Sequence, residues 1–374
     1  MILSDAVALR IWSSIRIALR AVTLVAGLAP RSSAQLSDPA PGALPTRWIL
    51  LYAGTRQGGM ATSYTIDDLV QLNAALDING RPAKWLFTGA IALHVTAPSG
   101  RVFATWAPGT PADGSDWVDY LDSLFAPAGV LARLDSAVGL MSMDLQPLGR
   151  PYEVAIMIPY PDPKQGTLKF QAQLFRVDGV EGRAAATQAY VKEVVSRFRA
   201  HRYPRLSLQG FYWLNESIHG ADEALVPEVA KAVHRLGLKL LWIPFYTAWG
   251  VDAWRRWGFD EAWLQPNFFF HLEIPQLRLD SAATRAKALG MGVEVEFNGR
   301  VYSSPAYYDR LGPYVSMLEG DSILRARAVT VYDGGGALLY LARSRNARDR
   351  SLYDRLVEAL SVNGSSARRL QNAH

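Results

Sequence analysis

The feature that most constrains this chain is a rhythm. An apolar strand-like run, a polar or glycine-bearing loop and a helix-period segment recur along most of its length. The strand-like runs are Trp48 to Ala53, Lys84 to Leu93, Glu153 to Tyr160, Leu206 to Leu214, Lys239 to Tyr246, Ala262 to Phe270, Gly292 to Phe297 and Arg327 to Tyr332. Helical periodicity fills the spaces between them: Thr65 to Ile78, roughly 115–145, Ala185 to Arg199, Ala221 to Leu236, Val251 to Trp257, Pro275 to Leu289 and Pro305 to Glu319. In the clearest of these, Leu225, Val229, Ala232, Val233 and Leu236 share one face, and His234-Arg235 stand before Gly237 as stop signals. Strands that alternate with helices build a parallel sheet, and eight strands are enough to close it. The expected fold is therefore α/β, a (β/α)8 TIM-like barrel, with an open doubly wound sheet as the alternative.

A chain of 374 residues, 49% of them hydrophobic, suits one such domain, placed at 47–342. With no cysteine, it has no disulfide, thiolate nucleophile or cysteine-held metal. The net charge of +5 is concentrated at the ends: +3 over residues 1–34 and +4 over 343–374, leaving −2 on the domain between. A nucleic-acid partner would need a basic face on the folded domain, so nucleic acid is not expected.

Residues 1–34 read as a signal peptide. Arg10, Arg16 and Arg20 precede the apolar run Ala21 to Ala29, Pro30 breaks it, and Ser32-Ser33-Ala34 offers a cut before Gln35. The run is too short to span a bilayer, so the mature form is expected to be secreted or periplasmic without a stable membrane span. An uncleaved amphipathic anchor is the alternative, with Ile11, Ile15 and Leu19 lying beside Arg16 and Arg20. Residues 35–46 are rich in Pro, Ala and Gly and read as a linker. The arginine-rich 343–374 is expected to hold one helix, Ser351 to Leu360, and a disordered tail.

In such a barrel the chemistry sits where strands end at the carboxyl face. The run Gly210-Phe-Tyr-Trp-Leu ends abruptly in Asn215-Glu216. A carboxyl among aromatics is partly desolvated, which raises its pKa and suits it to general-acid work. In Gly292-Val-Glu-Val-Glu-Phe297 the period of two puts Glu294 and Glu296 on one face, opposite Val293, Val295 and Phe297. Two carboxyls in a barrel core are costly unless they are functional or paired. Glu296 lies nearer the carboxyl end and is the nucleophile candidate; Glu294, one layer deeper, is expected to hold Arg300 or another cation.

Sugar recognition needs flat apolar surfaces and polar groups together. Tyr212, Trp213, Trp242, Tyr246, Trp249, Trp263, Phe269 and Phe270 accompany Gln209, Gln265, Asn267 and His271 near the ends of the fourth to sixth strands. Prolines end the strands at Ile158-Pro-Tyr160-Pro-Asp162 and Gln265-Pro-Asn267, which brings Tyr160 and Asp162 toward the same rim; Tyr302 and Asp333 are weaker candidates. No phosphate-binding loop or nucleophile elbow is present, and the six histidines lack metal-ligand spacing, so no metal or cofactor is called for.

The stretches GFYWLNESI (210–218), VHRLGLKLLWIPFYTAWG (233–250), WGFDEAWLQPNFFF (257–270) and GMGVEVEFNGRV (290–301) resemble, in order, the DUF4855 family of exported bacterial proteins. The resemblance implies a barrel similar to those of glycoside hydrolases and a carbohydrate context. It highlights Trp213, Glu216, Trp242, Pro244, Gln265, Pro266, Asn267, Glu294 and Glu296, and supplies no substrate. Together these features predict a glycosidase for a polysaccharide or glycoconjugate. Glu216 and Glu296 would be its catalytic pair in a retaining mechanism, and Asn215, Tyr212, Trp213, Trp242, Tyr246, Gln265, Asn267, Glu294 and Tyr160 would line the substrate. A binding barrel without catalysis is the competing expectation.

Overall fold

A computed structural model of the chain describes residues 46–52, 63–321 and 328–362. The proposed signal peptide, most of the linker and the last twelve residues lie outside the described residues.

Eight strands form a closed parallel barrel. In chain order they are β1 (Thr46–Tyr52), β2 (Gly89–Leu93), β3 (Tyr152–Ile158), β4 (Leu206–Trp213), β5 (Lys239–Trp242), β6 (Glu261–Leu264), β7 (Gly292–Asn298) and β8 (Ala328–Gly334). Each strand pairs with its sequence neighbours, and β1 closes the ring on β8 with Trp48 beside Thr330. Burial is continuous along β3, nearly so along β7, and complete over the last four residues of β4, as expected of parallel strands covered on both faces.

The barrel interior is layered. Trp48 and Trp263 fill its lower level, with ring centroids 6.3 Å apart. Gly292 makes room for Trp263, since a Cβ there would lie 2.4 Å from Trp263 Cδ1 and 2.3 Å from Ala328 O. The inward positions above, Glu294 beside Thr330 and Glu296 beside Tyr332, are carried up to the mouth by the alternation of β7.

Several local expectations are corrected. The helix expected over Thr65 to Ile78 stops at Asn73, and Ala74–Leu76 turns into a short strand paired antiparallel with Pro82–Trp85. The reason is the turn Asp77-Ile-Asn-Gly80: Asp77 Oδ1 accepts from the amides of Asn79 (2.8 Å) and Arg81 (2.9 Å), and Gly80 takes φ +77°. The expected strand Lys84 to Leu93 thereby divides, and only Gly89–Leu93 enters the barrel. The helical stretch at 115–145 is two helices, Gly114–Phe125 and Val130–Asp144, separated at Ala126-Pro127. That stretch is apolar and long enough to cross a membrane by length and composition, but half of its most apolar window is buried inside the protein. The segment expected as a helix at Val251 to Trp257 keeps only the single turn Val251–Ala253. Thr46, assigned to the linker, begins β1.

Beyond residue 342 the helix Ala347–Leu360 packs on the barrel through Leu352, Tyr353, Leu356, Val357 and Leu360, and the Val362 amide donates to Trp85 O at 3.0 Å.

Candidate active site

Three carboxyls converge at the carboxyl end of the barrel. Glu216 follows β4 by three residues, while Glu294 and Glu296 point inward from β7. Their charges act on one another: Glu296 bears on Glu216, and both bear on Glu294. No ion pair neutralises any of the three among the described residues.

Glu216 keeps some surface to solvent while standing in an otherwise enclosed setting. Gln265 Nε2, at the end of β6, donates to its Oε1 at 3.2 Å. Burial pushes the Glu216 carboxyl up to about 8; the Gln265 hydrogen bond opposes this and the Glu296 charge adds to it. The carboxyl is therefore largely protonated near neutrality.

Glu296 is buried, 2% exposed, but better served by donors. Its Oε2 accepts from the Tyr314 hydroxyl at 2.8 Å and from the Asn267 amide at 2.8 Å. Burial pushes its carboxyl up to about 7, while Tyr314 and the amides of Asn267 and Phe268 pull it down. Asn267 reaches this geometry with φ +53°, a left-handed conformation that asparagine tolerates better than most residues. Its side chain is used locally, Oδ1 accepting from the Tyr246 amide at 3.0 Å. Asn267 thus serves the site through its backbone.

Glu294 forms the floor. It is 2% exposed, and its Oε1 has no hydrogen-bond partner. Burial holds its carboxyl well above the usual carboxylate range, reinforced by Glu296 and then Glu216. Arg300 does not reach it, contrary to expectation: that guanidinium lies 4.9 Å over the Tyr307 ring and donates to Tyr307 Oη at 3.0 Å. Tyr52, Tyr212 and Tyr332 stand near enough for the Glu294 charge to raise their phenol pKa values, so three tyrosines line the floor with it.

The remaining candidates divide. Gln265 stands beside Glu216, and Tyr212 faces the barrel interior near Glu216 and Glu294. Asn215 is 3% exposed; its Oδ1 accepts from the Thr105 amide at 3.1 Å and its carbonyl from Trp242 Nε1 at 2.8 Å. Trp213 and Trp242 are corrected as sugar platforms, because strand alternation turns them outward from the barrel axis into the helix layer. Trp213 meets Tyr160 edge-on at 6.0 Å, and Trp242 stacks on Phe259 at 4.9 Å. Trp263 is core.

Tyr246 carries Arg278 at 4.3 Å and Arg285 at 5.3 Å over its ring, so that face is occupied. The Tyr160 hydroxyl donates to Asp222 at 2.8 Å, within a buried pair of Asp222 with Arg183, and is committed to the wall. Asp162 caps a turn by accepting from the Lys164 amide at 2.8 Å.

Sequence reasoning missed Tyr314, Tyr52 and Trp106. Tyr314 shares a helical stripe with Leu311, Val315 and Leu318, which reads as plain core from sequence. Tyr52 ends an apolar strand and gives no signal of its own. Trp106 lies in the long loop after β2 and donates from Nε1 to Leu214 O at 3.5 Å.

The sequence profile of the domain of unknown function DUF4855 matches residues 47–358. The chain belongs to the DUF4855 family. No curated relative matches it. Among solved structures, the DUF4855 chain is similar to an intracellular xylanase of Thermoanaerobacterium saccharolyticum, at 8% identity and TM-score 0.39 over 67% of this chain and 78% of that one. It is also similar to the catalytic domain of a family GH18 chitinase from the fern Peteris ryukyuensis, at 10% identity and TM-score 0.40 over 84% and 99%. The tryptophan synthase α-subunit of Pyrococcus furiosus is matched at 12% identity and TM-score 0.37 over 85% and 98%. Likenesses this distant do not distinguish one barrel chemistry from another.

Proposed function

We propose that this DUF4855 protein is a glycoside hydrolase that works by a two-carboxylate retaining mechanism on a polysaccharide or glycoconjugate. One observation carries the reading: two charge-coupled carboxyls at the barrel mouth sit in unlike surroundings, Glu216 with a single amide donor and Glu296 with a phenol and main-chain amides. Environments that separate two neighbouring carboxyls divide the acid role from the base role.

In this mechanism protonated Glu216 gives its proton to the glycosidic oxygen as the bond to the anomeric carbon breaks. The Glu296 carboxylate attacks that carbon and forms a glycosyl ester. Glu216, now ionised, takes a proton from water; the water oxygen bonds to the anomeric carbon and Glu296 leaves. Tyr314 and the Asn267 amide hold the Glu296 carboxylate, while Glu294, Tyr52, Tyr212 and Tyr332 offer hydrogen-bonding groups to the ring. A retaining outcome requires carboxyls about 5 to 5.5 Å apart.

The test is digestion of a glycan panel with product masses and anomeric configuration read directly. Glu216→Gln and Glu296→Gln should each lower kcat by roughly a hundredfold to ten-thousandfold. Near-normal turnover in both variants overturns the reading. Glycan affinity that survives both changes, with no product from the wild type, marks a binding barrel instead. We also propose that the chain is exported after cleavage before Gln35, on the pattern of residues 1–34. N-terminal sequencing of the mature protein should begin at Gln35, and an intact Met1 start would contradict it.

A further inference from the structure

The Asn215-Glu216-Ser217-Ile218 segment is gripped from both sides. On one side the loop after β2 crosses the end of β3, where the Tyr160 amide donates to Phe103 O at 3.0 Å. It then reaches β4, where the Thr105 amide donates to Asn215 Oδ1 at 3.1 Å and Trp106 Nε1 to Leu214 O at 3.5 Å. On the other side the loop after β5 is tied by the Ile218 amide to Trp249 O at 3.0 Å and by the Trp249 amide to Ser217 Oγ at 3.1 Å. One partly exposed tryptophan therefore stands on each flank of the loop that carries Glu216.

Trp249 is 65% exposed and is the only exposed tryptophan among the described residues; most of the others are buried. Leaving so large an apolar ring in water forgoes most of its burial energy, and large indoles normally find packing. Trp249 is nonetheless held in place by two main-chain hydrogen bonds, not left on a slack loop.

We propose that Trp106 and Trp249 frame a leaving-group subsite that accepts a pyranose ring, which makes oligo- or polysaccharides, and not simple alkyl glycosides, the substrate class. The proposal rests on the glycosidase reading for its orientation. The oxygen that Glu216 protonates belongs to the leaving group, so whatever is bonded to that oxygen departs past the Glu216 loop, which the two tryptophans flank. Their flat faces suit the C–H faces of a sugar, and a polymer supplies a sugar at that position where a small glycoside does not.

Two readouts test it. First, Glu296→Gln protein is titrated with xylohexaose, cellohexaose, mannohexaose and chitohexaose, following tryptophan fluorescence. At least one should give saturable quenching, and adding Trp106→Ala or Trp249→Ala should weaken that affinity about tenfold, with Phe at either position restoring much of it. Second, the cleaved oligosaccharide is compared with the glycosyl fluoride of the same sugar, whose leaving group is one atom. Each tryptophan variant should lose at least tenfold more kcat/KM on the oligosaccharide than on the fluoride. Circular dichroism and thermal melts show that the variants are folded.

Equal losses on both substrates, with turnover still dependent on Glu216 and Glu296, overturn the subsite and leave the glycosidase reading standing. Tryptophan-dependent hexasaccharide binding without any turnover by the wild type overturns the glycosidase reading and with it the leaving-group assignment, and leaves the two indoles as a sugar-binding pair. No fluorescence response to any hexasaccharide overturns the subsite.

Discussion

The barrel treats buried acids in two opposite ways. In its walls and at its amino-terminal end five are matched with cations: Asp222 with Arg183 at 2.7 Å, Asp116 with Arg101 at 2.5 Å, Asp135 with Arg205 at 3.0 Å, Glu153 with Arg150 at 3.1 Å, and the half-buried Glu261 with Lys239 at 2.6 Å. At the mouth, Glu216, Glu294 and Glu296 have amides and phenols in place of cations, and Glu294 Oε1 has nothing. A buried carboxylate costs several kcal/mol unless compensated. At these positions the fold provides a cation within reach, whereas the three mouth carboxyls have none; Asp333, buried at the end of β8 and held by the Leu338 amide, resembles them, its carboxyl pushed up to about 7 by burial. Unrelieved carboxyls of this kind suit proton transfer and nucleophilic attack.

The largest effect expected from breaking this contrast is in the wall. Arg183 is 1% exposed, donates to Asp222 and to Pro161 O at 2.8 Å, and lies 4.8 Å over the Tyr160 ring. Arg183→Leu strands Asp222 as an uncompensated buried charge and should cost about 3 to 5 kcal/mol of folding stability, read by urea denaturation. Glu216→Gln, which removes a raised-pKa acid and keeps its shape, should cost far less. Equal destabilisation by the two would mean that the mouth acids are structural after all.

That contrast was only half visible in the sequence. The eight strands were legible because each is an apolar run with its own punctuation. The Glu294/Glu296 alternation was legible because period two needs no tertiary knowledge. The short pairing of Ala74–Leu76 with Pro82–Trp85 was obscured because its residues continue a helical pattern; only the Asp77-to-Gly80 turn announced it. The partners of the carboxyls were not legible. Tyr314 reaches Glu296 from 18 residues away and Gln265 reaches Glu216 from 49, and no local pattern encodes such encounters. For Trp213 and Trp242, composition named the right neighbourhood but not the direction of the ring, which depends on strand phase.

A middle-sized effect comes from the floor. Burial raises the Glu294 carboxyl well above its ordinary range, so the folded protein binds a proton that the unfolded chain releases near pH 4.3. The stability this group contributes is complete below that pH and is lost as pH rises toward the folded-state value. The slope is at most about 1.4 kcal/mol per pH unit, reached while the folded protein keeps the proton and the unfolded chain has lost it. Glu294→Gln removes the titration, so its stability relative to wild type should rise across that window, seen in melting temperatures at pH 5, 6.5 and 8. A constant difference would place an unseen cation or water beside Glu294 and bring the floor closer to the walls in character.

The smallest effect separates the two catalytic candidates from each other. With Glu296 near 7 and Glu216 near 8, kcat/KM should follow a narrow bell: the acid limb from ionisation of the nucleophile, the alkaline limb from loss of the acid's proton. Tyr314→Phe deletes a hydroxyl that donates to Glu296 Oε2 at 2.8 Å and helps to hold the carboxyl down. A hydrogen bond to a charged group is worth about 1.5 to 3 kcal/mol, so the acid limb should move up by about one pH unit, losing about tenfold in rate below the optimum. The alkaline limb, which reports Glu216, should move much less. If Tyr314 merely packed the core, both limbs would keep their positions and only stability would fall. If instead the alkaline limb moved, the roles of Glu216 and Glu296 would have to be exchanged.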